Sequence, residues 1–172
     1  RLVARCAILT AGLILTARER PELRRRVMAF GVSQIDAGSH IGVGGYTDAG
    51  DAEIARREQF SLGDIRPLDE VMRELLEDGY VPSFCTACYR LGRTGEQFME
   101  FAVPGFIRRF CTPNALTTLA EYLADYASPA TRQAGQRRVE EELAALSDGP
   151  AKRALVDRLH RIAAGGERDL YL

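Results

Sequence analysis

The sequence predicts an α/β segment followed by a mostly helical domain. Two short apolar runs, at residues 13–16 and 32–36, flank a helical pattern that begins at Pro21. Strand, helix and strand joined by short links are typical of a parallel sheet or barrel. From Pro67 onward, apolar residues recur at helical spacing behind prolines and capping residues. The second half is therefore expected to be mostly helical.

The first helix is expected to begin at Pro21 and to end at Gly31, because proline favours the first turn and glycine the residue after the last. Its apolar face is formed by Leu23, Val27 and Phe30. The arginines at positions 24–26 lie mostly on the opposite face. We expect these three arginines to be solvated.

Helix starts in the second half are marked by proline or by a capping residue. Pro67 is expected to start a helix that Gly79 ends, and its buried residues are expected to be Leu68, Val71, Met72, Leu75 and Leu76. Thr94 and Gln97 have the spacing of a capping box at the start of a short helix. The last two helices are expected to begin after Ser128 and at Pro150.

Another helix is predicted at Thr112 and Pro113, with threonine as the N-cap and proline at the first helical position. Its buried face is expected to consist of Leu116, Leu119, Leu123 and Tyr126. Cys111 would then precede a helix N-terminus, where N–H groups and the helix dipole stabilise a thiolate. This placement predicts that Cys111 ionises readily.

Composition excludes several broad classes of protein. The chain has 172 residues, of which 46% are hydrophobic, so it is long enough to bury a core as one domain or a small pair. A net charge of −1 gives no general case for nucleic acid or an anionic membrane as a partner. Four cysteines without a secretory leader do not indicate a disulfide scaffold, and no apolar run is long enough to span a bilayer. We therefore expect a cytoplasmic, reducing environment.

Three of the four cysteines form the strongest pattern in the chain. Two residues lie between Cys85 and Cys88, and twenty-two residues lie between Cys88 and Cys111. Thiolates are the ligands that iron–sulfur clusters require, and a cluster normally takes four of them. Three cysteines without a fourth nearby predict a cluster with one open corner. A structural zinc ion or unligated thiols are the alternatives, although zinc would need a fourth ligand and His160 lies far along another helix.

Two other features of the sequence are not expected to bind a metal or a ligand. Cys6 lies in an apolar run and is expected to be a small buried residue. Gly42, Gly44 and Gly45 lack the spacing of a phosphate-binding loop, so we expect them to form tight turns.

The stretches that contain the cysteines resemble a known family. They are Phe84-Cys-Thr-Ala-Cys-Tyr-Arg90, Cys111-Thr-Pro-Asn-Ala115 and Glu121-Tyr-Leu-Ala-Asp-Tyr-Ala-Ser128. They resemble the C-terminal part of the HydG family, the radical S-adenosylmethionine tyrosine lyases that mature [FeFe]-hydrogenase. The resemblance covers nearly the whole chain, and the spacing of the three cysteines is its most specific element. The first half resembles the biotin-and-thiamin-synthesis-associated region.

The resemblance implies two domains. Residues 1–60 would be the last strands and helices of a TIM-type radical S-adenosylmethionine barrel, and residues 61–172 a helical domain that binds an auxiliary cluster. Cys85, Cys88 and Cys111 would hold this auxiliary [4Fe-4S] cluster, whose open corner takes an extra iron.

The resemblance also implies an activity for the complete protein. L-Tyrosine would be cleaved to p-cresol and dehydroglycine, and the latter would yield carbon monoxide and cyanide for assembly of the hydrogenase H-cluster. S-Adenosylmethionine and a second [4Fe-4S] cluster would take part, with other hydrogenase maturation proteins as partners. The Cys-x3-Cys-x2-Cys motif of that second cluster is absent here, and the chain starts at Arg1 without an initiator Met. We therefore expect a missing N-terminal barrel portion, and this chain alone is not expected to generate the radical.

Two polar residues follow the predicted strands. Arg18 follows the first and Ser39 the second. Active sites of barrels assemble at these strand ends, and in relatives an Arg and a Ser there hold the carboxylate of the amino-acid substrate. The alternative is that Arg18 is one more solvated charge. His40 is expected to be a polar loop residue rather than a metal ligand.

Overall fold

The computed structural model describes residues 13–39, 61–105 and 107–170. The chain divides into two compact units, Arg1–Leu68 and Asp69–Leu172. Cys6, His40, the glycines of the predicted turns and any strands or helices expected within residues 40–60 lie outside the described residues. The expected boundary at residue 60, between the end of a barrel and a cluster-binding domain, stays a prediction.

The first unit contains a βαβ arrangement. Strand β1 spans Ile14–Leu15, helix α1 spans Pro21–Met28 and strand β2 spans Gln34–Ile35. The two strands are parallel, with Ile14 opposite Gln34 and Leu15 opposite Ile35. Gly31, with φ of 95°, follows the end of α1, where a left-handed residue is needed. The predicted order of strand, helix and parallel strand is confirmed.

The face of α1 that is buried differs from the predicted one. Arg24 is only 1% exposed, whereas Leu23 and Phe30 are 42% and 46% exposed. The Arg24 guanidinium forms ion pairs with Asp64 and Asp36. The prediction that Arg24 is solvated is therefore wrong, because acidic partners distant in the sequence compensate the burial of its charge. Arg25 and Arg26 are exposed, as predicted.

The second unit is helical throughout its described elements. Its helices are α2 at Leu68–Glu77, α3 at Ala87–Arg90, α4 at Gly95–Ala102, α5 at Ile107–Asp125, α6 at Pro129–Ala145 and α7 at Pro150–Ala163. Helix α2 begins in the first unit at Leu68 and buries four apolar residues in the predicted positions, Val71, Met72, Leu75 and Leu76. Gly79, with φ of 85°, follows it. The starts of α6 and α7 are also confirmed, and Ser128 Oγ accepts a hydrogen bond from the Thr131 N–H at 3.4 Å.

Helix α5 forms the centre of this unit and packs against α6 and α7. Its buried residues include Leu116, Leu119 and Leu123, and α7 contributes Leu155 and Ile162. Gly135 of α6 lies against Leu123, so closely that a Cβ at this position would overlap the Leu123 side chain. A glycine in mid-helix weakens the helix, and here it permits the close approach of α6 to α5.

Three predictions about local helix structure are wrong. Helix α5 begins at Ile107, so Pro113 lies inside it and does not start it. Tyr126 is 77% exposed, and Tyr122 takes its place in the core at 7% exposure. Thr94 is the N-cap residue of α4, so the predicted helix start is confirmed, but its side chain makes no hydrogen bond there and the predicted capping box is wrong.

The fold class is confirmed at a coarse level. The described residues form a mostly helical chain with one two-stranded parallel sheet. Two paired strands do not establish a barrel. In the part of the chain that the structure describes, no helix is both long and apolar enough to cross a membrane.

Candidate metal centre

The three cysteines of the motif all belong to the second unit. Cys85 lies two residues before α3, Cys88 lies within α3, and Cys111 lies in the second turn of α5. Each of the three thiols is free and half-buried. Each of the three thiols is therefore partly accessible from solvent.

Hydrogen bonds connect the segment around Cys85 and Cys88 to its surroundings. The Cys85 N–H donates to Ser83 Oγ at 3.1 Å, and Ser83 Oγ is hydrogen-bonded to Thr118 Oγ1 of α5 at 3.0 Å. After Cys88, its carbonyl accepts from the Arg93 N–H at 2.8 Å, and Gly92 adopts φ of 68° in this turn. These contacts tie the two-cysteine turn to the helix that bears Cys111.

The thiol of Cys111 is influenced electrostatically by the other two cysteines of the motif. Burial raises the pKa of Cys111, and the neighbouring Cys88 and Cys85 raise it further. Arg93 acts in the opposite direction on the same pKa. Cys85 and Cys88 are thus close enough to Cys111 to affect its ionisation.

The expected reason for Cys111 to ionise is wrong. The sequence pattern predicts Cys111 just before a helix N-terminus, but α5 already begins at Ile107. The N–H groups at the helix start are therefore not positioned to stabilise its thiolate, and its pKa is raised rather than lowered. Ionisation of Cys111 would have to come from the metal itself.

The thiols do not form a ready-made ligand set. Among residues 13–39, 61–105 and 107–170, no group of three or more His, Cys, Asp and Glu side chains could hold a metal ion. The residue types nevertheless fit an iron–sulfur cluster, since all three are free, half-buried cysteines. Ligation requires the thiol side chains to converge further.

The residues beside the two-cysteine turn connect it to the C-terminal tail. Arg90 Nη1 donates to Asp169 Oδ2 at 2.6 Å. The tail is also attached to α5, because the Arg168 guanidinium makes two hydrogen bonds of 2.8 Å to the Asp125 carboxylate. Tyr89 is 69% exposed. Arg90 thus anchors the turn to the tail, a connection that the sequence pattern did not indicate.

The two residues predicted to bind a substrate carboxylate lie in the first unit. Arg18 follows β1 and is exposed, and Ser39 follows β2 and is half-buried. Since parallel strands have their carboxyl ends at the same edge of a sheet, both residues follow strands at one edge. The sequence pattern did not indicate the polar network at this edge, formed by Arg24, Asp36, Asp64 and Arg66. In the sequence, this network is visible only as charged residues, some of which lie near the ends of predicted strands.

Comparison with known proteins supports the family resemblance. A sequence profile of the Biotin and Thiamin Synthesis associated domain matches residues 2–81. A crystal structure of HydG, a maturase of the [FeFe]-hydrogenase, aligns with a TM-score of 0.87 and 44% identity, over 99% of this chain and 36% of that chain. The X-ray structure of the FeFe-hydrogenase maturase HydG from Carboxydothermus hydrogenoformans aligns with a TM-score of 0.64 and 32% identity, over 91% of this chain and 32% of that one. A comparison with curated protein sequences finds no match.

These matches place the chain among proteins that carry a biotin and thiamin synthesis associated region. Within that class, the chain belongs to the HydG family and matches the C-terminal part of HydG. It spans about a third of the length of each aligned HydG structure. The predicted resemblance is confirmed.

Proposed function

We propose that this chain is the C-terminal portion of a HydG-like lyase and takes part in [FeFe]-hydrogenase maturation. The complete protein would cleave L-tyrosine with S-adenosylmethionine, to give p-cresol, carbon monoxide and cyanide. The main support is the 44% identity to HydG over 99% of the chain, together with the three free, half-buried cysteines of the motif. The first unit would then contain the end of a TIM-type barrel.

In this proposal, Cys85, Cys88 and Cys111 hold an auxiliary [4Fe-4S] cluster as thiolates. Three protein ligands would leave one iron of such a cluster without a cysteine, and that position would be available to an extra iron that takes up carbon monoxide and cyanide. The half-buried thiols exclude part of the bulk water, and Arg93 provides a positive charge that favours the deprotonated sulfur of Cys111.

Arg18 and Ser39 are proposed to bind the carboxylate of tyrosine. A guanidinium offers a planar pair of N–H donors that matches a carboxylate, and a serine hydroxyl adds a third donor. Both residues follow parallel strands at the edge of the sheet where barrel enzymes assemble their sites. Their task would be to hold the substrate in place rather than to transfer a proton.

The proposal is tested with the full-length protein, supplied anaerobically with iron, sulfide, a reductant and S-adenosylmethionine. p-Cresol should form from L-tyrosine. Arg18→Gln should raise the KM for tyrosine by roughly tenfold or more, because a charged hydrogen bond is lost. Arg20→Gln is the matched control, since Arg20 is an exposed arginine in the same segment, and it should leave KM unchanged. Absence of p-cresol from the wild-type protein would contradict the lyase proposal.

A non-catalytic module stabilised by zinc is the alternative that the cysteine spacing leaves open. Structural zinc sites use four protein ligands, and the motif supplies three cysteines. The resemblance to HydG favours iron and sulfide instead. Elemental analysis separates the two directly, because stoichiometric zinc with no iron would favour the interaction module.

A further inference from the structure

Arg24 is the most deeply buried cation among the described residues, and it joins two loops at the carboxyl edge of the sheet. Its side chain is 1% exposed. One terminal nitrogen donates to the Asp64 carboxylate, and the other donates to the backbone carbonyl of Asp36. Asp36 is the first residue after β2. A single guanidinium therefore connects the segment around Asp64 with the chain that leaves β2.

Asp64 in turn connects Arg24 with the chain that leaves β1. The backbone N–H groups of Gly63 and Asp64 both donate to the Ala17 carbonyl at 2.9 Å. Ala17 is 1% exposed and directly precedes Arg18. A Cβ on Gly63 would overlap the Arg18 carbonyl oxygen and would lie 2.6 Å from the Glu19 carbonyl carbon. The backbone that bears Arg18 is thus held by direct contact with the loop at Gly63 and Asp64.

The chain that bears Ser39 is held in a comparable way. The Asp36 N–H donates to the Leu15 carbonyl at 3.3 Å, in addition to the bond that its own carbonyl accepts from Arg24. Gly38 has φ of 62°, and a Cβ there would lie 3.3 Å from the Leu68 nitrogen. The backbone is therefore fixed on both sides of Ala37, immediately before Ser39.

We propose that Arg24 is a positioning residue that sets the separation of Arg18 and Ser39. It holds the chain after β1 indirectly, through Asp64, and it holds the chain after β2 directly, through the Asp36 carbonyl. The guanidinium of Arg18 and the hydroxyl of Ser39 can then bind one carboxylate together. The ligand is a free α-amino acid. The inference rests on the proposed function, since it assigns Arg24 to the same substrate site. Arg24 itself is enclosed by protein and does not touch the substrate.

The test uses the full-length, reconstituted protein and measures the KM for L-tyrosine separately from kcat. Arg24→Gln should raise KM by roughly tenfold to a hundredfold, because misplacing binding groups by about 1 Å has effects of this size. kcat at saturating tyrosine and the cleavage of S-adenosylmethionine without tyrosine should stay near their wild-type values. Arg26→Gln is the matched control on the exposed face of α1, and its KM should equal that of the wild type.

A second variant keeps the test valid if Arg24→Gln fails to fold because the buried Asp64 carboxylate keeps only Arg66 as an ionic partner. The pair Arg24→Gln and Asp64→Asn removes both charges and should fold, while the connection between the two loops stays broken. Its KM should rise as in the single variant. Arg24→Lys keeps the charge but lacks a planar guanidinium that can donate to two groups at once. The KM of this variant should therefore lie between those of the wild type and Arg24→Gln.

The outcomes separate this inference from the proposed function. If Arg18→Gln raises KM while the folded double variant binds tyrosine like the wild type, the role of Arg24 is overturned and the substrate site stands. If Arg18→Gln has no effect, the proposed carboxylate site itself fails. A rise in KM for Arg24→Gln, with unchanged kcat and partial rescue by Arg24→Lys, supports the inference.

Discussion

The Ser128 hydroxyl donates a hydrogen bond to the Asp69 carboxylate at 2.7 Å, and this contact joins the start of α6 to the first turn of α2. The same carboxylate accepts from Thr131 Oγ1 at 2.8 Å and from the Tyr122 hydroxyl of α5 at 3.3 Å. Burial alone would raise the pKa of Asp69, but the hydrogen bonds from Ser128, Thr131 and Tyr122 outweigh it and lower the pKa. One ionised side chain thus holds three helices of the second unit together.

Asp69→Asn should destabilise the second unit. The amide keeps one acceptor but presents an NH2 group toward hydroxyl donors, so at least one buried hydrogen bond is lost, at a cost of about 1–3 kcal/mol. Chemical denaturation followed by circular dichroism measures the change. Glu77→Gln is the control, since Glu77 is an exposed acid on the same helix. Equal unfolding midpoints for the two variants would contradict the role of Asp69.

Acid should weaken the first unit through Asp64. Burial alone would raise its pKa, but hydrogen bonds from Arg66 and Arg24 lower it from 3.8 to about 2. Because the folded pKa is the lower one, the stabilisation is fully present above about pH 4 and is lost as the pH falls toward about 2. The shift corresponds to roughly 2 kcal/mol in the free energy of unfolding.

Unfolding curves between about pH 5 and about pH 2 test this dependence. The variant with both Arg24→Gln and Asp64→Asn should lose less stability over this range than the wild type. An equally steep loss in both proteins would show that other carboxylates cause the effect.

Gly135→Ala should destabilise the packing of α6 on α5. Alanine favours a helix over glycine by about 1 kcal/mol, but its Cβ would overlap the buried Leu123 side chain. Overpacking typically costs about 1–3 kcal/mol, so we expect a net loss or no gain. Adding Leu123→Ala to Gly135→Ala should cost less than Leu123→Ala costs alone. A clear gain in melting temperature for Gly135→Ala by itself would contradict the close contact.

Tyr122 and Tyr126 form a matched pair for testing which tyrosine is in the core. Tyr122→Phe should lower the free energy of unfolding by about 1 kcal/mol, because the Tyr122 hydroxyl is hydrogen-bonded to Asp69, whereas Tyr126→Phe should change it by almost nothing.

Burial, followed by the charge of Asp69 and its hydrogen bond, raises the pKa of Tyr122 to about 12. The stabilisation is therefore present below about pH 10 and is lost as the pH rises toward 12. Ultraviolet titration should show that Tyr122→Phe removes a tyrosine that ionises late.

Features that depend on nearby residues were predictable from the sequence. Pro21, Ser128 and Pro150 mark helix starts through the local chemistry of capping and of proline. The parallel pairing of β1 and β2 followed from the order of strand, helix and strand. The sharing of one metal centre by Cys85, Cys88 and Cys111 stays a prediction from their spacing.

Features that depend on distant partners were not predictable. Arg24 is buried because Asp64 lies against it, forty residues along the chain, and helical periodicity cannot show such a partner. Tyr122 displaces Tyr126 from the core in the same way, since Asp69 accepts a hydrogen bond from its hydroxyl. Pro113 has the local pattern of a helix start but lies within α5, because helix-compatible residues precede it.

The most direct test of the central claim is the iron content of the full-length protein after anaerobic reconstitution with iron and sulfide. We predict that the wild type binds about four more iron atoms per chain than a variant with Cys85, Cys88 and Cys111 replaced by serine, because one [4Fe-4S] cluster is lost. Cys6→Ser is the matched control, since Cys6 lies outside the motif, and it should retain the wild-type iron content. Equal iron in the wild type and the triple variant would contradict the claim that these three cysteines hold a cluster.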